Sequence, residues 1–133
     1  MRVFTGTDII EVNRIQKAMQ EENFKTRVFT DAEIEYCEKF GDRKYEHYAA
    51  RFAGKEAIFK AISPELTKKY DIGWKNIEIQ KAEDGRPVVS IIADAEGKLT
   101  DIVEKIKEEN MVIDVSLSHL ESYAIATATV VVK

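Results

Sequence analysis

The chain has a single cysteine, two prolines and six glycines among its 133 residues, and it has no long apolar run. The lone Cys37 rules out an internal disulfide and leaves a cysteine-based metal site without its partners. With so little glycine and proline, and no repeat at a fixed period, collagen-like, low-complexity and solenoid architectures are excluded. The most nearly apolar stretch, residues 123–132, contains Thr127 and Thr129 and is about half as long as a membrane-spanning helix needs to be. Asp8 and Glu11 interrupt any apolar leader at the start. These absences predict a cytoplasmic protein that engages no membrane. A basic excess is also missing: 20 Lys+Arg stand against 24 Asp+Glu, a net charge of −4, which argues against a dedicated nucleic-acid binder. What is present is 44% hydrophobic and 33% charged material. That is the composition of a folded domain rather than a disordered chain, and the length suits one domain over 1–133.

Periodicity divides the chain into helices and strands. Residues 2–7 predict a short strand, after which Asp8 opens a helix with Ile9, Val12, Ile15 and Met19 on one face. Asp8 and Glu11 form a loose capping box; Thr30 and Glu33 form a closer one and open a second helix that runs to about Phe40. A third helix, from about Lys44 to Ile62, carries the stripe Tyr45, Tyr48, Ala49, Phe52 and Phe59 and stops at Ser63-Pro64. The period then becomes two. Ile77 and Ile79 mark a strand, Asp84-Gly85 a turn, and residues 87–92 a returning strand. Leu99, Ile102, Val103 and Ile106 predict a fourth helix, and Met111, Ile113, Val115 and Leu117 line a strand that turns at 119–122 into the last one. The order predicts an α+β fold with packed helices and a largely antiparallel sheet.

Residues that break these patterns are the candidates for chemistry. Glu56 falls within the apolar stripe of the third helix, between Phe52 and Phe59. An ionised carboxylate there costs several kcal/mol unless a cation compensates it. Lys60, four residues on, is within reach and offers a plain ion pair. Alternatively a second carboxylate, with Asp8 the natural candidate, makes an all-oxygen site for a hard divalent ion. Arg51 and Lys55, preceded by Arg43 and Lys44, form either a solvated basic face or a phosphate cradle. Cys37 reads as a small helix residue, Trp74 as a packing anchor, and His119 as a hairpin-turn residue beside Ser116 and Ser118.

Four segments then line up with one family. Gly6-Thr7-Asp8-Ile9-Ile10-Glu11-Val12-Asn13-Arg14-Ile15 resembles the first signature of the holo-[acyl-carrier-protein] synthases, the small 4′-phosphopantetheinyl transferases. Arg51-Phe52-Ala53-Gly54-Lys55-Glu56-Ala57-Ile58-Phe59-Lys60-Ala61 is similar to the second. Asp84-Gly85-Arg86-Pro87 resembles the family's Gly-Lys/Arg-Pro turn, and Ser116-Leu117-Ser118-His119 with Tyr123-Ala124-Ile125-Ala126 its C-terminal hairpin. Gly54 departs from the usual alanine and Leu120 from a usual polar residue; residues 94–110 match no signature.

The resemblance implies a 4′-phosphopantetheinyl transferase-like fold and transfer of the phosphopantetheine arm of coenzyme A to a serine of apo acyl carrier protein. It implies Mg²⁺ held by Asp8 and Glu56, with Lys60 stabilising charge on the transferred phosphate. Ser118 and His119 would contact the coenzyme, and Arg51, Gly85, Arg86 and Pro87 would seat its adenosine-phosphate end. The serine proton would go to Glu56 or to Glu35. Arg14 and Lys17, with Lys25 and Arg27, would dock the acidic carrier, and the site would lie between subunits of a homotrimer. The rival readings are a Mg²⁺-dependent nucleotide or phosphate-ester hydrolase, and a non-catalytic nucleotide-binding scaffold in which Glu56–Lys60 is only an ion pair.

Overall fold

The alternating residues of the C-terminal stretch become the centre of the sheet. In the computed structural model, which describes residues 1–66, 72–94 and 96–133, the elements run β1 (Arg2–Glu11), α1 (Val12–Ala18), α2 (Phe24–Val28), α3 (Asp31–Glu38) and α4 (Lys44–Ile62). They continue as β2 (Ile77–Lys81), β3 (Pro87–Ile91), α5 (Thr100–Lys107), β4 (Met111–His119) and β5 (Tyr123–Val132). β5 lies between β1 and β4, antiparallel to both, while β2 and β3 form a separate antiparallel hairpin. The α+β, antiparallel expectation holds. Residues 67–71 and 95, part of the expected single domain, lie outside the described residues.

One face of the three-stranded sheet is built for close approach. Ala124, Ala126, Ala128 and Val130 of β5 are buried on it, and α4 covers them with Ala49, Ala53, Ala57 and Ala61. The spacing of four aligns these alanines along one side of the helix. Gly6 of β1 completes the small-residue contact: a Cβ there would stand 2.1 Å from the carbonyl oxygen of Ala57. Removing side chains from both surfaces lets helix and strand nearly touch, and that contact fixes what lies two residues further along β1.

The start of the chain differs from expectation. β1 does not stop at Thr7 but pairs with β5 through Glu11, and α1 begins only at Val12. Asp8 is therefore no helix cap. It belongs to the inward register Phe4, Gly6, Asp8, Ile10, while Ile9 points the other way and is exposed. Continuous pairing along the whole length of β5 outweighs a local capping signal. By contrast the Thr30–Glu33 capping box forms in full, and α4 has the expected bounds. The short α2 was not signalled; its Phe24 packs on Phe29 and Phe52.

Candidate functional site

α4 carries two polar clusters on different sides. Arg51 and Glu56 are five residues apart, which places them about 140° apart around the helix and roughly 7.5 Å along it.

The first cluster joins α4 to β1. Because Gly6 admits the helix so closely, Asp8 stands beside its C-terminal half, where Lys60 Nζ donates to Asp8 Oδ1 at 3.3 Å and to the Thr7 carbonyl oxygen at 2.9 Å. The simple Glu56–Lys60 pair allowed by spacing is replaced by this Lys60–Asp8 contact. Glu56 is half-buried; burial first, then the Asp8 charge, push its carboxyl above the ordinary range, and Lys60 only partly offsets them. Glu56 also edges a cavity of about 250 Å³ walled by Lys55, Phe59, Ile72, Gly73, Trp74 and Ile77.

Two neighbouring carboxyl groups with one ammonium between them, Glu56 at the cavity edge and Asp8 beside it, are a donor set suited to a hard cation. No group of three or more His, Cys, Asp or Glu side chains converges among the described residues, so a bound ion would draw its remaining ligands from water or a substrate. Mg²⁺ accepts that arrangement, typically taking one or two carboxylates plus phosphate oxygens. The residues fit the ion.

The second cluster surrounds a cavity of about 220 Å³ lined by Tyr36, His47, Arg51, Lys81, Gly85, Pro87 and His119, among others. Four residues expected at the coenzyme, Arg51, Gly85, Pro87 and His119, meet here. Arg51 is 5% exposed; its guanidinium lies 4.1 Å over the Tyr36 ring, and its Nε has no hydrogen-bond partner among the described residues. A buried guanidinium that lines a cavity and makes no salt bridge among the described residues suits an anionic ligand. Gly85 supplies the tight turn between β2 and β3 at φ +88°, a conformation that favours glycine.

The other expected residues are placed elsewhere. Arg86 is exposed and paired with Asp84 at 3.6 Å. Ser118 lies on the sheet face opposite α4, one residue out of register with His119. Glu35 edges a third depression with Tyr36, Lys39 and Lys81, a different one from the cavity that Glu56 edges. Arg14 and Lys17 are exposed on α1 and Arg27 on α2, whereas Lys25 lies 3.7 Å from Glu38.

The largest surprise is Lys55. Neither solvated nor part of a phosphate cradle, it is fully buried 2.8 Å from Glu33. Lys55 donates to the carbonyl oxygens of Trp74 and Ile77, and Glu33 accepts from the backbone N–H groups of Thr30 and Ile79 at 2.9 Å each. Burial pulls its ammonium below the ordinary lysine value, and Glu33 opposes that shift. The sequence did hold a signal: Tyr48, Phe52, Lys55 and Phe59 follow spacings of four, three and four, so Lys55 falls inside the apolar stripe. His47, Tyr36 and Lys81 carry no signal in the sequence, because they come together only through tertiary packing. Cys37 is buried, and desolvation pushes its thiol up to about 12, which suits its reading as an inert packing residue.

A sequence profile of the 4′-phosphopantetheinyl transferase superfamily matches residues 5–128. A holo-[acyl-carrier-protein] synthase of Ruminiclostridium cellulolyticum is 41% identical over 132 residues, covering 98% of this chain and 92% of that protein. One from Fusobacterium nucleatum is 37% identical, covering 98% and 99%. Among solved structures, the Bacillus anthracis holo-(acyl-carrier-protein) synthase in complex with CoA (3′,5′-ADP) aligns with a TM-score of 0.74 at 27% identity, covering 98% of this chain and 96% of that one.

Proposed function

The chain belongs to the 4′-phosphopantetheinyl transferase superfamily, and from that membership we propose that it transfers 4′-phosphopantetheine from coenzyme A to a serine of apo acyl carrier protein. The observation that carries the reading is the meeting of Asp8, Glu56 and Lys60 at the β1–α4 contact, where two carboxylates and an ammonium share one small space.

In the reaction the serine oxygen forms a bond to the β-phosphorus of the coenzyme pyrophosphate, and the bond to adenosine 3′,5′-bisphosphate breaks. Little covalent work falls to the protein in such a transfer; positioning and charge neutralisation dominate. Asp8 and Glu56 would hold Mg²⁺, which when bound supplies Lewis-acid polarisation of phosphate oxygens. Lys60, half exposed and tethered to Asp8 and Thr7, is placed to neutralise charge developing on the phosphoryl group. Glu56, half-buried beside Asp8 and Lys60, is the carboxylate we assign to receive the serine proton. Glu56 is preferred to Glu35, which within one chain lines a different depression. The cavity lined by Arg51, His119 and the Gly85-Pro87 turn seats the adenosine-phosphate end.

These two clusters lie on different sides of α4, which supports a site completed by a neighbouring copy. The sheet face opposite α4 supports it too: Val3, Ile9, Val112, Tyr123 and Ile125 are all exposed there, a patch typical of association surfaces. We therefore place the chain in a homotrimer, with Ser118 on the packed face. Arg14, Lys17 and Arg27 are each exposed, cations we assign to the acidic carrier, which an overall acidic enzyme needs for capture. The single buried Cys37 is in keeping with a cytoplasmic location.

Mixing the protein with coenzyme A, Mg²⁺ and an apo carrier tests the proposal. Mass spectrometry should find the carrier heavier by one phosphopantetheine group, and a chelator should stop the gain. Consumption of coenzyme A with no change in the carrier would instead establish hydrolysis.

A further inference from the structure

Glu46 lies outside the motif segments and has no role in the reading above, yet it is the buried carboxylate beside the Arg51 cavity. It sits on the first turn of α4, 7% exposed. One oxygen, Oε1, is 3.0 Å from Nδ1 of His119, and the other, Oε2, accepts from Arg43 Nε at 3.1 Å. The Arg43 hydrogen bond holds the Glu46 carboxyl below the usual carboxylate range, so it is an anion that can only accept. An acceptor facing Nδ1 requires the ring hydrogen to be there. The ring is braced edge-on by His47, 5.0 Å away, which itself stacks on Phe40 at 3.5 Å. Burial, with His119 and Arg51 nearby, lowers His47 to about 4, so this brace is neutral at physiological pH.

We propose that Glu46 is a positioning residue for the coenzyme: by taking Nδ1–H it fixes the tautomer and orientation of His119 and leaves Nε2 as the ring's one uncommitted polar atom for the ligand of the Arg51 cavity. The arrangement parallels metal sites, where a carboxylate behind a histidine orients the nitrogen in front. The inference rests on the reading of that cavity as the adenosine-phosphate seat.

The intact protein, assayed with coenzyme A and an apo carrier, tests it. Glu46→Ala should raise the coenzyme KM about tenfold, the low end for losing such a supporting group, with kcat changed less than about twofold. Glu46→Gln keeps an acceptor and should recover most of the loss. His119→Ala should match Glu46→Ala, and the double variant should lose no more than either. Proton–nitrogen NMR correlations of the two histidines give a readout independent of activity. His119 should carry its hydrogen on Nδ1 in the wild type and move it to Nε2 in Glu46→Ala, with the melting temperature near wild type. An Nε2–H ring in the wild type, a tautomer indifferent to Glu46→Ala, or additive KM losses would overturn the positioning role. If His119→Ala leaves the coenzyme KM unchanged while the tautomer still follows Glu46, the seat assigned to the cavity is what fails.

Discussion

On α4, Lys55 turns into the core to meet Glu33 at 2.8 Å, while the next residue, Glu56, turns to the sheet edge beside Asp8 and Lys60. Both clusters combine acids with a lysine, and both tie α4 to another element. They differ in how fully their charges are answered. The Glu33–Lys55 pair is fully buried and every group is bonded: the ammonium has two backbone carbonyl acceptors besides Glu33, and each carboxylate oxygen has a backbone N–H donor. Such a network holds α3, α4 and the start of β2 in one register. In the other cluster two carboxylates share one ammonium, and burial raises Glu56's affinity for a proton. Completed charge pairing is architecture; charge left partly unanswered beside a cavity is free to act on a ligand.

Substitutions should separate the two. The largest effect is expected at the Asp8–Glu56–Lys60 cluster: Asp8→Ala or Glu56→Gln should lower carrier modification on the order of a thousandfold, the scale of removing a preorganised electrostatic group, with folding intact by circular dichroism. Next comes the core pair. Lys55→Met leaves the Glu33 carboxylate buried without its cation and should cost about 3–5 kcal/mol in urea denaturation. Adding Glu33→Gln to it should restore part of that loss, because the uncompensated charge is gone. If Lys55→Met instead preserved stability and abolished transfer, the division of labour would be reversed.

Gly6→Ala tests the contact that brings the Asp8–Glu56–Lys60 cluster together. A methyl 2.1 Å from a helix carbonyl oxygen cannot be absorbed by a rotamer change, so β1 or α4 must shift. Overpacking of this kind costs about 1–3 kcal/mol, and here the shift should also move Asp8 relative to Lys60, lowering transfer beyond what stability explains. Gly54→Ala is the control. Its Cβ would meet the ends of the Ile79 and Leu117 side chains, at 2.5 and 3.0 Å, which can give way while Asp8 stays where it is.

How far the sequence could be read follows from the same geometry. α4, the Thr30–Glu33 cap, both hairpins and the α+β class were legible because each rests on local periodicity or turn chemistry. Glu56 was legible because it broke a stripe. Asp8 was picked out as a candidate but placed on the wrong element: pairing between β1 and β5, segments at opposite ends of the chain, decided its backbone. Lys55 was misread because a buried lysine is tolerable only with Glu33 and two distant carbonyl groups around it, none of which spacing on one helix reveals. The Arg51 cavity draws on α3, α4, the β2–β3 hairpin and β4, so only its motif-bearing residues could be named in advance.

The smallest expected effect is on stability against pH, and it bears directly on the unanswered charge. Burial and Asp8 raise the folded Glu56 carboxyl above its ordinary value of 4.5, whereas the unfolded chain titrates near that value. Between the two values the folded state binds more protons than the unfolded one, so stability falls as pH rises through that window. The cost is then present in full at neutral pH. Glu56→Gln removes it, so its melting temperature without metal should lie above wild type at neutral pH, the two curves converging below the ordinary carboxylate value. A cation held between Asp8 and Glu56 reverses the penalty by favouring the ionised form. Titrating Mg²⁺ at neutral pH should therefore raise the wild-type melting temperature and leave that of Glu56→Gln nearly still. Equal shifts in both proteins would mean that the ion binds elsewhere and that the crowding of Asp8 and Glu56 serves some purpose other than holding a metal.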